Sequence, residues 1–166
     1  MTYFGWPSLC LRVADLEDSR RFYTHFGMRV IDQVAEKRAV LQYGAFNLSL
    51  MTFLDANLLN FRGGDVFAAY TRLKSVFPDL TGEPERYTPE KYDAAASGQC
   101  WETTDPDGNV IFLDTNETES GDAYIRMRSV QVLRNAEQEL EALGAAPELL
   151  DAFRTQILDR FAGGDQ

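Results

Sequence analysis

Alternating apolar and polar residues divide the first part of the chain into two sets of elements that follow the same order. In the first set, residues 8–13 alternate as a strand does, and Asp15 then offers a side-chain oxygen to cap a helix. Three further strand patterns follow at residues 29–34, 38–43 and 46–53. The first set therefore predicts the order β-α-β-β-β.

The second set repeats this order. Residues 57–62 predict a strand, a pair of glycines breaks it, and Asp65 caps a helix with an apolar face. Strand patterns return at residues 99–104 and 110–114, with a weaker one at 83–87. The sequence thus predicts an α+β fold made of two tandem βαβββ modules, and this duplication organises the chain.

The composition changes after the second set. Apolar residues recur at helical spacing over residues 122–143, and a second helical pattern follows Pro147. A strand over residues 124–132 is an alternative, because several of its residues are β-branched. We expect two domains, an α+β domain over residues 1–116 and a helical C-terminal extension over residues 117–166.

Charge and cysteine content restrict the partners and the compartment. The chain has 16 basic and 26 acidic residues, a net charge of −10, which repels nucleic acids and anionic lipids. Cys10 and Cys100 lie in apolar stretches and predict buried free thiols, as in a reducing compartment. No apolar run predicts a signal peptide or a membrane span. We therefore expect a cytoplasmic protein with no nucleic-acid or membrane partner.

Several short segments carry a resemblance to a known superfamily. They read LRVADL at residues 11–16, SRRFY at 19–23, FGM at 26–28 and DPDGNVI at 105–111. In this order, within a duplicated pattern, they resemble the vicinal oxygen chelate superfamily of glyoxalases, extradiol dioxygenases and bleomycin-resistance proteins. The resemblance covers about residues 7–116. It implies that the two modules form one cupped mixed sheet.

The resemblance also implies where a metal ion would bind. In metal-dependent members the cupped sheet holds one divalent ion through one side chain from each of four strands. These positions fall on Ser8, Ser49, Leu58 and Phe112. Two hydroxyls are weak ligands, and leucine and phenylalanine have no lone pair to donate. The sequence therefore predicts no metal and no other cofactor.

Nucleophilic catalysis that relies on a histidine is disfavoured for a similar reason. His25 is the only histidine, and we expect it near the end of the first helix, exposed to solvent and away from the sheet. It has no predicted partner that could make it a general base for a serine or a cysteine.

A small-molecule site is the remaining expectation for the cup. Residues of equal parity share one face of a strand, so a mostly apolar surface with a few polar groups should line the hollow. The predicted ligand-binding residues are Ser8, Cys10, Ser49, Met51, Leu58, Asn60, Trp101, Phe112 and Asp114. Trp101 is expected to form a wall of the cup. Asp105 and Asp107 are assigned to a turn and not to the site. As an alternative to a binding site, the side chains that line the cup could pack together into a second hydrophobic core.

The predicted function is metal-independent binding or sequestration of a small, partly apolar organic molecule, with a cationic ligand as one option. The resemblance to bleomycin-resistance proteins, which sequester antibiotics in grooves between two subunits, implies a homodimer. One alternative is a metal-free lyase, isomerase or glyoxalase-like enzyme in which Asp114 or Glu102 acts as the base. Another is a regulatory module that uses the helical extension as its working surface.

Overall fold

The computed structural model describes residues 4–92, 96–119 and 121–162, which fold as two compact units. The first unit ends at Gly121, and its described residues form eight strands and three helices. Its strands are β1 Gly5–Arg12, β2 Arg29–Val34, β3 Arg38–Tyr43, β4 Phe46–Met51, β5 Leu58–Gly63, β6 Glu85–Tyr87, β7 Gly98–Thr104 and β8 Val110–Asn116. Its helices are α1 Leu16–His25, α2 Val66–Val76 and the short α3 Pro89–Tyr92.

All eight strands form one mixed sheet in the order β2-β3-β4-β1-β5-β8-β7-β6. Within each module the first and last strands pair in parallel, β1 with β4 and β5 with β8. The antiparallel pair β1–β5 joins the two modules, so they meet at the centre of the sheet. The predicted α+β class and the duplicated βαβββ order are confirmed. The strand predicted at residues 46–53 ends two residues earlier than expected.

Each module packs its long helix on the same face of the sheet. The core under α1 consists of Leu16, Ala39, Leu41, Leu48 and Leu50, with Leu9 and Leu11 packed against it. The core under α2 consists of Val66, Ala69, Trp101 and Leu113, with Phe61 packed against it. Because neighbouring residues of a strand point to opposite faces, Ser8, Cys10, Asn60 and Asp114 point away from both helices. We call this second face the cup face.

Both predicted helix caps are present. The Oδ1 atom of Asp15 accepts a 2.8 Å hydrogen bond from the backbone amide of Asp18. Asp65 does the same for the amide of Ala68, at 3.0 Å. Each carboxylate satisfies one of the amides that a helix N-terminus leaves without a partner, and this fixes where α1 and α2 begin.

The aromatic side chains of α1 are only partly buried. Tyr23 packs against the core, but Phe22 and Phe26 remain 57% and 70% exposed. Leu16 and Tyr23 are seven residues apart and set the inward face of the helix. Phe22 and Phe26 lie to one side of that face and contact each other, with ring centroids 5.1 Å apart.

The second unit begins at Asp122 and is helical throughout its described part. It contains α4 Asp122–Ala142, α5 Pro147–Phe153, a π-helical turn at Arg154–Leu158 and α6 Asp159–Ala162. The helical prediction is therefore confirmed, and the alternative of a strand over residues 124–132 is wrong. No helix within the described ranges is both long enough and apolar enough to cross a membrane.

The apolar stripe predicted for the second unit does not match the observed burial. The buried residues of α4 are Tyr124 and Asn135, whereas Leu143, which belongs to the predicted stripe, is 83% exposed. Arg154 forms an ion pair with Glu137, which ties the π-helical turn to α4. Polar contacts therefore contribute to holding these helices together.

Candidate functional site

The strand register brings most of the predicted site residues side by side on the cup face. Cys10 pairs with Ser49 on one side and with Leu58 on the other. Ser8 pairs with Asn60, which in turn pairs with Phe112. Met51 and Asp114 have the same parity on β4 and β8, so they extend this group along the two strands. These residues therefore span four adjacent central strands, two from each module.

The donor set on these strands does not fit a divalent ion. The positions where the resemblance implies metal ligands carry two serines, a leucine and a phenylalanine, as the sequence indicated. Among the described residues, no group of three or more His, Cys, Asp or Glu side chains is arranged to hold an ion. Ser8 already contacts a neighbouring side chain, because its Oγ lies 3.5 Å from Oδ1 of Asn60. We therefore derive no chemistry through a metal.

A chain of polar contacts occupies the centre of the cup face instead. Asn60 donates through Nδ2 to Oδ1 of Asp114 at 2.7 Å and to the carbonyl of Phe112 at 3.2 Å. Arg62 donates through Nη1 to Oδ2 of Asp114 at 2.9 Å, and its Nε lies 2.5 Å from Glu119. Both carboxylate oxygens of Asp114 thus have a donor. The sequence did not indicate this pairing, because it depends on β5 and β8 being neighbours.

Asp114 is the buried charge at the centre of this network, with 8% of its surface exposed. Burial raises the pKa of its carboxyl group, while Arg62 and Asn60 act in the opposite direction because they favour the ionised form. Asp114 also influences Tyr87 on β6. Burial of the Tyr87 phenol and the negative charge of Asp114 both raise the pKa of Tyr87. The prediction that Asp114 faces the site is consistent with its position, but its carboxylate is not freely available, because Arg62 and Asn60 bind it.

A row of polar side chains crosses the cup face next to this network. Gln42 pairs with Asn47, Asn47 lies beside Ser8 in the parallel register of β4 and β1, and Ser8 pairs with Asn60. Gln42, Asn47 and Asn60 are buried. The sequence did not indicate Gln42 and Asn47, although Asn47 has the parity of Ser49 and Gln42 directly follows the apolar run Ala39–Leu41 of β3. The face is therefore more polar than predicted.

Three polar atoms on this face are buried and lack a hydrogen-bond partner within the part of the chain that the structure describes. They are Oδ1 of Asn47, Nε1 of Trp6 and Nε of Arg38. Trp6 pairs with Arg62 in the register, and Arg38 forms an ion pair with Asp32 through Nη2. Buried polar atoms in native proteins are nearly always hydrogen-bonded, to protein or to water, so each of these three atoms calls for a partner beyond the described chain.

Trp101 does not form a wall of the cup, and this expectation is wrong. Its indole lies on the opposite face, buried under α2, where it meets the ring of Tyr70 edge-on at 5.1 Å. Its Nε1 donates to the carbonyl of Thr81 at 3.2 Å. The parity of β7 explains the error, because Cys100 pairs with Asp114 on the cup face and the next residue must point away.

The remaining acidic candidates lie outside the buried network. Glu102 pairs with Phe112 and shares its face, but it is exposed. Asp105 accepts hydrogen bonds from the backbone amides of Asp107 and Asn109, both at 2.9 Å, and from the side chain of Asn109. The Asn109 contacts lower the pKa of Asp105, as in a carboxylate that organises its own turn. The assignment of Asp105 to a turn is thus confirmed.

The histidine and the cysteines occupy the places that the sequence indicated. His25 is exposed at the end of α1, and its Nδ1 lies 2.7 Å from the carbonyl of Arg21. Cys10 and Cys100 are both buried, and neither forms a disulfide within the described residues. Burial raises the pKa of the Cys10 thiol, although hydrogen bonds with Ser8 and Ser49 partly oppose this. A protonated, buried thiol is a poor nucleophile.

Comparison with solved structures identifies the fold. The chain is similar to a glyoxalase/bleomycin resistance protein/dioxygenase superfamily member from Vibrio splendidus 12B01, at 15% identity and a TM-score of 0.51, over 66% of this chain and 97% of that one. It is similar to the NAD-dependent benzaldehyde dehydrogenase from Legionella pneumophila, at 14% identity and a TM-score of 0.51, over 67% of this chain and 99% of that one. No family model and no curated protein matches the sequence.

These likenesses establish the vicinal oxygen chelate fold that the sequence motifs predicted. At such low identity they show the fold alone. The two similar structures carry different names, one of them that of an enzyme, and a fold does not by itself define an activity. The function must therefore be argued from the side chains of the cup face.

Proposed function

We propose that this protein binds a small organic molecule on the cup face without the help of a metal ion. The observation that carries the proposal is the set of buried polar atoms without a partner on this face, Oδ1 of Asn47, Nε1 of Trp6 and Nε of Arg38. Leaving such an atom unpaired costs about 1–3 kcal/mol. A ligand that supplies the missing hydrogen bonds would recover part of this free energy.

The ligand that best fits this face is uncharged, partly apolar, and able to both donate and accept hydrogen bonds. Met51, Leu58 and Phe112 supply apolar surface, which is the usual source of affinity for small molecules. The unpaired atoms include two donors and one acceptor. A cationic ligand is less favoured than the acidic composition suggested, because it would have to compete with Arg62 for Asp114.

Thermal unfolding in the presence of three probes of nearly equal shape tests this proposal. Benzamide is neutral, benzamidine is its cationic counterpart and benzoate its anionic counterpart. We expect saturable stabilisation by benzamide and weaker effects of the two ions, since a ligand that binds only the folded state raises the unfolding temperature. Asn47→Leu should reduce the shift, whereas Asn57→Leu, which alters an exposed asparagine, should not.

Divalent ions serve as the opposing arm of the same experiment. Manganese, nickel and zinc are titrated against the protein under identical conditions. Saturable stabilisation by one of these ions, together with no effect of benzamide, would contradict the proposal. A shift with benzamidine alone would retain the binding site but reverse the expected charge of the ligand.

A metal-free enzyme is the second candidate, and one observation favours it. Asp114 is buried on the cup face with a raised pKa, which is typical of a carboxyl group used as a general base. Asp114→Asn would then abolish turnover of a bound substrate while leaving its binding in place. Under the binding proposal, no bond is made or broken, and the bound molecule is recovered unchanged.

The proposal also includes a compartment and an oligomeric state. The two buried cysteines form no disulfide within the described residues, which is compatible with the reducing conditions of the cytoplasm. We further propose that the protein is a homodimer.

A further inference from the structure

Two asparagines flank Ser8 on the cup face, and they differ in how they use their side-chain amides. Asn47 on β4 and Asn60 on β5 lie on either side of Ser8 on β1. The Oδ1 atom of Asn60 contacts Ser8, and its Nδ2 atom donates to Asp114 and to the carbonyl of Phe112. The amide of Asn60 is therefore occupied by the protein itself.

The amide of Asn47 is buried but has no such partners. Its side chain belongs to a residue that is 3% exposed, yet within the described ranges neither Oδ1 nor Nδ2 forms a hydrogen bond. Such an amide gives up hydrogen bonds to water on folding and gains none from the chain. Because Oδ1 accepts and Nδ2 donates, a molecule that satisfies both atoms must itself donate and accept.

We propose that Asn47 determines the specificity of the cup face, and that it selects ligands with an amide whose N–H and C=O groups lie on one edge. Lactams, cyclic imides and primary amides have such an edge. It forms two parallel hydrogen bonds with a side-chain amide, from the ligand N–H to Oδ1 and from Nδ2 to the ligand C=O. This inference rests on the proposed function and adds to it the class of ligand and the residue that recognises it.

Other common ligand groups satisfy only part of this requirement. An ammonium group donates but does not accept, and a carboxylate accepts but does not donate. A hydroxyl group or a water molecule offers one oxygen atom for both contacts and cannot align well with both. The match to an amide edge also holds if the oxygen and nitrogen of Asn47 exchange places, because the ligand edge can turn over with them.

The surroundings of Asn47 leave room for a compact ring attached to this amide. Ser8 and Phe112 are only partly buried, so this part of the cup face is open to solvent. Adjacent strands are spaced so that Asn47 and Asn60 lie about 10 Å apart, and only the short side chain of Ser8 stands between them. A ring can therefore lie over Ser8, with Phe112 beyond Asn60 as apolar surface.

Three bicyclic probes of nearly equal shape test the inference with the full chain. Isoindolin-1-one is a lactam with N–H and C=O on one edge, phthalide has a ring oxygen in place of the N–H, and 1-indanone has a methylene group there. Isothermal titration calorimetry measures their dissociation constants. We expect isoindolin-1-one to bind at least about tenfold more tightly than either analogue, because each analogue leaves Oδ1 of Asn47 without a donor.

Two variants of Asn47 assign the preference to this side chain. Asn47→Leu keeps the approximate size and removes both polar atoms, and Asn47→Ala removes the amide without adding a branch. In each variant the preference for isoindolin-1-one should fall to about twofold or less. Asn57→Leu alters an exposed asparagine and should keep the full preference. Circular dichroism verifies that every variant is folded.

The possible outcomes either support or overturn the inference. A preference for the lactam that is lost in the Asn47 variants and kept in Asn57→Leu supports it. Equal binding of the three probes by the wild type overturns it without any variant, while binding on the cup face still stands. A preference that survives in the Asn47 variants also overturns it, because another residue then recognises the amide edge.

Failure of all three probes to bind overturns the inference as well. The experiment with benzamide then separates the two proposals. Stabilisation by benzamide would show that a ligand binds although the lactam does not, and only the inference would fail. Without that stabilisation, the proposed function fails with it.

Discussion

The side-chain amide of Asn60 donates a 2.7 Å hydrogen bond to the buried carboxylate of Asp114, from the strand next to it in the sheet. Arg62, two residues along the same strand, binds the other oxygen of that carboxylate. A single strand thus supplies both donors that keep a charge buried at the centre of the site. Most of the behaviour that we expect of the site depends on this arrangement.

Removal of the Asn60 amide should destabilise the protein. Asn60→Ala leaves one oxygen of a buried carboxylate without its donor, so we expect the free energy of unfolding to fall by about 2 kcal/mol. Urea denaturation measures this difference. Asn57→Ala is a suitable control. The Asn57 side chain is exposed and accepts a hydrogen bond from the amide of Arg12, whereas that of Asn60 is buried and donates to Asp114. The control should lose less than about 1 kcal/mol, and equal losses would contradict the prediction.

Asp114 should make stability depend on pH. Burial raises its pKa above the ordinary value of 3.8, so the folded protein holds this proton more tightly than the unfolded chain does. The contribution of Asp114 to stability is therefore present at low pH. It is lost as the pH rises above 3.8 and passes through the pKa that this carboxyl group has in the folded protein. Asp114→Asn lacks this loss, so its stability relative to the wild type should increase with pH.

Urea midpoints measured from about pH 4 to about pH 8 test this pH dependence. Asp107→Asn is the control, because it removes an exposed carboxyl of a turn and should run parallel to the wild type. A relative stability of Asp114→Asn that falls with rising pH would show that Arg62 and Asn60 outweigh burial in the folded protein.

Trp101 should behave as a core residue and not as a ligand contact. Trp101→Phe removes the hydrogen bond to Thr81 and leaves a small cavity under α2, so it should cost about 2 kcal/mol in chemical denaturation. Phe26→Ala removes a ring that is mostly exposed and should change stability by no more than about 0.5 kcal/mol. The prediction would be contradicted if Trp101→Phe kept the stability of the wild type but lost ligand binding, because Trp101 would then contact the ligand.

Gly5 and Gly108 should differ in their tolerance of a methyl group. Both have a positive φ, which strains any other residue. A Cβ atom at Gly5 would lie 2.7 Å from the carbonyl oxygen of Arg62, whereas nothing lies within 4 Å of one at Gly108. Gly108→Ala should therefore cost about 1 kcal/mol, from strain alone. Gly5→Ala should cost about 3 kcal/mol or more, because β1 must shift away from β5. Equal losses of stability in the two variants would contradict this prediction.

The features that the sequence predicted well are those that local physical chemistry determines. Alternation located β2 and β3 to the residue, and the capping carboxylates of Asp15 and Asp65 located the starts of α1 and α2. Each of these signals is contained within a few consecutive residues. The duplicated order then followed from repetition of the same local patterns, and the resemblance supplied the arrangement of the sheet.

The features that the sequence did not predict depend on which elements become neighbours. The burial of Asp114 against Arg62 requires β5 and β8 to be adjacent, although these residues are far apart in the chain. The face on which Trp101 lies depends on the pairing of β7 with β8, which sets Cys100 opposite Asp114 and Trp101 opposite Leu113. In α1, spacing alone could not tell whether Phe22 or Tyr23 would meet the sheet, since both belong to the same apolar arc.

The two border strands of the sheet have a consequence for how the protein behaves at high concentration. β2 has a register shift between Val30 and Asp32, and β6 is only three residues long with charged Glu85 and Arg86. A strand from another molecule would find no straight, uncharged row of backbone groups to pair with at either border. Crowded solutions of this protein should therefore resist growth of β-rich fibres from the native state.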